Sequence, residues 1–267
     1  MHRLFALFLL VGCTAQSAPT PPGSLPGTRF TSAGALPDDD LATALLAEDA
    51  PKPLSDRPRS RSYAEVEGDI EARRKELGRE WMNAPAADKV SVRDEARDYL
   101  ARTIRQDLIP PWYGTPWEFY GTSQTPGEGS IACGYFVSTV LQDAGLRVAR
   151  VQLAQQASEH IVRTFADRGE VAYTYGRAPL EVVRDVKKRG AGLYSIGLDY
   201  HVGLLSWDGE GPVEMCHSSV LAPGTVICED AVQAEAMLSH VHVLGPVLSD
   251  RVVEAWIKGK GVPTALP

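Results

Sequence analysis

Cys133 is the residue whose surroundings most favour chemistry. It stands in Gly129-Ser130-Ile131-Ala132-Cys133-Gly134-Tyr135-Phe136-Val137, where a polar, glycine-bearing stretch runs into an apolar one. Phe136, Val137, Val140, Leu141 and Ala144 recur at helical spacing before Gly145, and Ser130 is a candidate N-cap. The pattern predicts a buried helix with the cysteine in its first turn. A thiol there meets unpaired backbone N–H groups and the positive end of the helix dipole, which favour the thiolate and lower its pKa. The opposing reading is a small buried apolar residue, a common fate of a free cysteine.

A nucleophilic thiol needs a base. His201 opens the predicted strand His201-Val202-Gly203-Leu204-Leu205, and His217 lies near the end of the next, in Glu214-Met215-Cys216-His217-Ser218-Ser219. Neighbouring antiparallel strands bring two such side chains within hydrogen-bond reach on one face. One imidazole then takes the thiol proton and later protonates a leaving amine, while a second polar group orients it. Asp199, two residues before His201, competes with His217 for the orienting role. The rival chemistry for a Cys/His set is zinc, but neither C-x-x-C nor H-E-x-x-H occurs. Cys216 and His217, adjacent on a strand, point to opposite faces, and His240 and His242 read as solvated. No metal and no cofactor are expected, and there is no phosphate-cradling glycine loop and no Gly-x-Ser-x-Gly.

A helix-opening cysteine, a strand beginning His-Val-Gly and a polar residue on the next strand together resemble the NlpC family of papain-like bacterial cell-wall amidopeptidases. The stretch Trp117-Glu118-Phe119-Tyr120-Gly121-Thr122-Ser123 resembles that family's aromatic loop, and the likeness covers about Trp117 to His217. It implies a papain-like α+β core with Cys133 as nucleophile, His201 as base and His217 as orienting residue. It also implies an oxyanion hole made from the Cys133 N–H and a donor from the upstream loop, for which Trp117, Tyr120 and Gln124 are equal candidates. Three departures stand out. Ala132 replaces the family's usual Asp, Gly134-Tyr135 replaces Ser-Gly, and the separation of Cys133 from His201 is long, consistent with an inserted helix around Pro179 to Arg189. The implied activity is hydrolysis of amide bonds in peptidoglycan stem peptides. A thiol-dependent acyl or amide transferase and a non-catalytic wall-binding protein are the alternatives.

The elements that would position these residues follow from pattern. Ser62-Tyr63-Ala64-Glu65 is a capping-box sequence opening a charged helix through about Trp81. A second helix, capped by Ser91 with Asp94, carries Val92, Ala96, Tyr99, Leu100, Ile104 and Leu108 to Pro110-Pro111. After the Cys133 helix the pattern reads as a strand over Leu146 to Leu153, a helix over Ala157 to Ala166 and a helix from Pro179 to Arg189. Strands follow at Leu193 to Leu198, His201 to Trp207, Pro212 to Ser219 and Thr225 to Glu229. A short helix near Ala231 to Leu238, a strand over His240 to Leu244 and a helix over Ser249 to Lys258 complete the order. Helices followed by mostly antiparallel strands indicate an α+β fold, with residues 61–110 a helical segment and 111–267 the hydrolase domain.

The 267 residues are 44% hydrophobic and 23% charged, enough for a sizeable core. A net charge of -7 leaves no electrostatic footprint for nucleic acid. Leu4 to Val11 is an apolar run too short to span a bilayer and reads as a secretory signal over residues 1–12. It ends in Leu10-Val11-Gly12-Cys13, which resembles a bacterial lipobox and implies lipidation of Cys13. Residues 13–60, rich in Pro, Ser, Thr, Ala and Gly, then read as a tether in the cell envelope, held to the membrane through that lipid alone. Cys133, Cys216 and Cys228 remain, an odd number, so at least one is a free thiol. Cys216 and Cys228, on successive predicted strands, can pair and leave Cys133 alone, but the predicted register does not decide whether they stand opposite one another.

Overall fold

The computed structural model describes residues 61–266; the signal segment, Cys13 and the tether through residue 60 lie outside the described residues. The first helix, α1 (Tyr63–Asn83), starts at a capping box. The Glu65 N–H donates to Ser62 Oγ at 3.3 Å, and the Ser62 N–H donates to Glu65 Oε2 at 2.7 Å. α2 (Lys89–Thr103) starts earlier than the Ser91 cap would place it, with Asp88 as N-cap and Ser91 inside the helix. A π turn at Ile104–Leu108 and a 3-10 turn at Pro110–Trp112 end it, where the prolines remove helical donors.

α3 (Cys133–Asp143), α4 (Arg150–Ala154) and α5 (Ser158–Phe165) follow, then β1 (Ala172–Tyr175) and α6 (Pro179–Arg189). The strand expected over Leu146 to Leu153 is not formed. Residues 150–154 are helical, and only Arg147 makes a bridge, to Gly261. Alternating apolar residues in a short window fit either period, and here packing on α3 selects the helix. The remaining elements are β2 (Gly192–Leu198), β3 (Val202–Trp207), β4 (Glu214–Ser218), β5 (Val226–Asp230), a 3-10 turn at Glu235–Leu238, β6 (Val241–Pro246) and α7 (Asp250–Ile257). The strands form one antiparallel sheet in the order β1-β6-β2-β3-β4-β5, so the architecture is α+β. β1 had no counterpart in the sequence reading; its Ala-Tyr-Thr-Tyr becomes an edge strand by pairing with β6.

Period-2 alternation splits the sheet's side chains between two cores. Val202, Leu204 and Cys216 join Phe136, Val137, Val140 and Leu141 of α3, together with Ile70, Leu77 and Leu100 of the first two helices and Leu108 of the π turn. Leu205, Met215 and Ile196 face the opposite way, onto Val182, Val183 and Val186 of α6. The helical segment 61–108 therefore shares the core of α3. Ion pairs add to the joint: Arg97 reaches Asp250 of α7, and Arg105 meets Asp208 at 2.8 Å.

The register decides the pairing of the cysteines. β4 and β5 pair Cys216 directly with Cys228, and the two form a disulfide, leaving Cys133 the free cysteine among the described residues.

Candidate active site

The loop before α3 is fixed by the sheet and by its own turns. Ile131 N–H donates to Pro116 O, Ala132 N–H to Gly121 O, and Ser218 Oγ–H to Ile131 O at 2.6 Å. Arg150 holds the outer part, donating to the carbonyls of Thr122 and Ser123 at 2.9 and 2.8 Å and to Thr139 Oγ1 at 2.7 Å. Its guanidinium lies 4.9 Å from the centre of the Tyr135 ring. At its far end α3 is held by α1. Tyr63 Oη–H donates to Asp143 Oδ2 at 2.7 Å, and Trp112 Nε1–H donates to the same Tyr63 oxygen at 3.2 Å. Burial pushes the Asp143 carboxyl up to about 6 and the Tyr63 hydroxyl well above its usual range.

The helix begins at Cys133 itself. Ala132 is the N-cap and makes no side-chain capping bond, while Ser130, the expected cap, donates its hydroxyl to Glu118 Oε2. The first N–H groups of α3 are thus left without a capping side chain at the thiol. Gly134 is dictated by contact: a Cβ on it would lie 2.3 Å from the carbonyl oxygen of Ala154, so packing of α4 excludes any side chain there.

The thiol does not titrate as its helix position alone implies. Burial raises its pKa, and the backbone amides of Val202, Gly134 and Cys133 offset this only in part. Burial, and then His217, pull His201 down to about 3. Thiol and imidazole are therefore each neutral at rest. Desolvation outweighs the backbone N–H bonds to the sulfur, against the expectation of a lowered thiol pKa.

Leu198 N–H donates to His201 O at 2.8 Å, so residues 198–201 form the tight turn between β2 and β3, and β3 proper starts at Val202. His201 Nε2 lies 2.7 Å from His217 Nδ1. Gly203 makes this approach possible, since a Cβ there would stand 3.2 Å from His217 Cβ and 3.1 Å from Met215 Cε. His217, almost fully buried, turns its other nitrogen, Nε2, to Glu229 Oε1 at 2.9 Å. Sequence reasoning missed Glu229. The signal is the pairing of His217 with Ile227, which sets Glu229 diagonally across the β4–β5 ladder on the same face.

A carboxylate only accepts, so His217 carries a hydrogen on Nε2. When His217 is the neutral imidazole, its Nδ1 accepts from His201 Nε2–H, and His201 Nδ1 is then the basic nitrogen. Asp199 takes no part in this chain. Its Oδ2 accepts from Ser239 Oγ–H and from the His240 N–H, both at 2.7 Å, and its own N–H donates to Ser239 Oγ.

Cys133 and His201 line one open cleft of about 260 Å³, with Gly134, Ala157, Ser158 and Tyr200 among its walls. Trp117, Tyr120 and Gln124 do not line it. Trp117 is half-buried, with its N–H on Gly224 O; Tyr120 is exposed and stacks edge-on with Phe119; Gln124 is exposed. Among the described residues no group of three or more His, Cys, Asp or Glu is arranged to hold a metal ion. Compared with known proteins, the chain matches no family model, no curated protein and no solved structure.

Proposed function

We propose that this chain is a cysteine hydrolase of amide bonds with an NlpC-type papain-like core, acting in the cell envelope on the stem peptides of peptidoglycan. The observation that carries the reading is the chain Glu229–His217–His201 ending in a cleft that His201 shares with the helix-opening Cys133. In the forward step His201 Nδ1 takes the thiol proton as Sγ bonds to the carbonyl carbon, and the imidazolium then protonates the departing nitrogen as the C–N bond breaks. The N–H groups of Cys133 and Gly134, which no capping side chain occupies, are the donors this reading assigns to the oxyanion. Water, deprotonated by the same imidazole, next displaces Sγ from the acyl carbon and releases the acid. A thiol and an imidazole each neutral at rest mean that the proton moves during attack rather than before it. The lipobox-like Leu10-Val11-Gly12-Cys13 and the Cys216–Cys228 disulfide both fit an oxidising compartment outside the cytoplasm.

The test is digestion of purified sacculi, read by mass spectrometry, with the Cys133→Ala protein as control. New amino and carboxyl termini formed by the wild type alone support the proposal. Acyl products carried to an added amine point to the transferase, and binding to sacculi with no product from either protein points to the wall-binding role.

A further inference from the structure

A second cavity, of about 240 Å³, lies against His201 on the side that Cys133 does not share. It is walled by Leu198, Tyr200, Val220, Leu221 and Leu238, with Asp199 and Glu235 among its other lining residues. Tyr200 is fully exposed, Leu238 73% and Val220 54%, so several large apolar side chains that the fold leaves in solvent converge on this one place. They do not sit there through slack in the loops. Asp199 and Ser239 clasp the β2–β3 turn to the 3-10 turn at Glu235–Leu238, and Ser219 Oγ both donates to Leu221 O and accepts from Leu221 N–H, at 3.1 Å each.

Resting on the hydrolase reading, we propose that this cavity receives the amine-side residue of the scissile amide and selects an apolar residue without a free carboxylate. The argument is chemical. The imidazole that takes the thiol proton must deliver it to the departing nitrogen, so the departing group passes over His201 while the acyl group stays bonded to Sγ. The cavity that touches His201 and not Cys133 is therefore on the departing side. Its walls are apolar, and its fixed charges, Asp199 and Glu235, are both negative with no lysine or arginine among the lining residues, so an acidic residue or a free terminal carboxylate is repelled. The substrates are internal peptide bonds followed by an apolar residue, which in a stem peptide singles out the bond before an internal alanine and excludes bonds to residues that carry a free side-chain carboxylate.

The experiment has two arms. In the first, Cys133→Ala protein with 13C-labelled leucine methyl groups is titrated with N-acetyl-alanyl-leucinamide and with N-acetyl-alanyl-glutamate. The amide should shift the methyl signals of Leu221 and Leu238 and the glutamate peptide should not. Equal shifts, or none, would overturn the inference whatever the activity. In the second, the active protein is given peptides that differ only at the amine-side residue, and kcat/KM should favour leucine over glutamate by at least about tenfold, the size of discrimination one apolar pocket supplies. Leu238→Lys should narrow or reverse that order. Cleavage without preference sinks the selectivity and leaves the hydrolase reading standing. Methyl shifts without cleavage of any peptide sink the hydrolase reading and leave an apolar amine-binding cavity.

Discussion

Desolvation of the His201 ring makes a prediction about acid stability that needs no knowledge of the substrate. His201 has its pKa depressed from 6.5 to about 3, so between those values the unfolded chain binds a proton that the folded chain refuses. Stability is lost as pH falls through that window, and between pH 7 and pH 5 the loss amounts to about 2 kcal/mol. Asp143 acts oppositely. Its pKa is raised from 3.8 to about 6, so the folded chain keeps a proton that the unfolded chain releases. Stability from this group is full below pH 3.8 and lost as pH rises through 6, so acidification from pH 7 to pH 5 restores about 1 kcal/mol. The wild type should then lose little stability over this interval. His201→Gln should remove the loss and become more stable at pH 5 than at pH 7 relative to wild type, while Asp143→Asn should lose stability more steeply. Urea midpoints at the two pH values, with a common m-value, measure both. If His201→Gln loses as much stability as wild type on acidification, the imidazole is not held neutral by burial, and the neutral resting state of thiol and imidazole falls with it.

Three further outcomes follow from the site. Glu229→Ala should lower kcat/KM by about tenfold or more through loss of a charge-assisted bond to His217, whereas Glu229→Gln, whose amide oxygen can accept the same N–H, should retain most activity; steady-state rates on any cleaved peptide separate the two. Gly134→Ser should destabilise the fold by about 2 kcal/mol or more, because the carbonyl it meets belongs to backbone, and it should fail to restore a more family-like activity; thermal melting and peptide cleavage report both. Reduction of the Cys216–Cys228 bridge, which spans 12 residues, should cost about 3 kcal/mol in urea unfolding and lower activity, since His217 and Glu229 each adjoin one of its cysteines.

What the sequence carried plainly was chemistry encoded within a few consecutive residues. The helix at Cys133, the capping box at Ser62, Pro179 at the start of α6, and His201 and His217 on neighbouring strands all follow from local spacing, and the structure places each where that spacing implies or within two residues of it. What it did not carry depends on register. Cys216 opposite Cys228 and Glu229 diagonal to His217 are one fact, the alignment of β4 on β5, and a change of one residue in either boundary would have erased both. Burial is the other hidden quantity: the helix start at Cys133 is visible in the residues, but the burial that raises its thiol pKa is not, and the cleft around it is walled by β3, α4 and α5.

The same distinction bears on how the departures around Cys133 are to be weighed. Judged by pattern, Ala132 and Gly134 sit where a member of the NlpC family would differ, and they argue for lost function. Judged by contact, Gly134 is required because α4 brings a carbonyl 2.3 Å from where a side chain would start, so the glycine follows from the packing of the next helix and says nothing against the thiol. A carboxylate does reach the histidines, from Glu229 on the far side of His217, through a strand that the disulfide ties to β4. The second histidine is almost wholly buried with both ring nitrogens engaged, so replacing it by an apolar residue leaves Glu229 and His201 each without this partner and separates its role from that of Gly134.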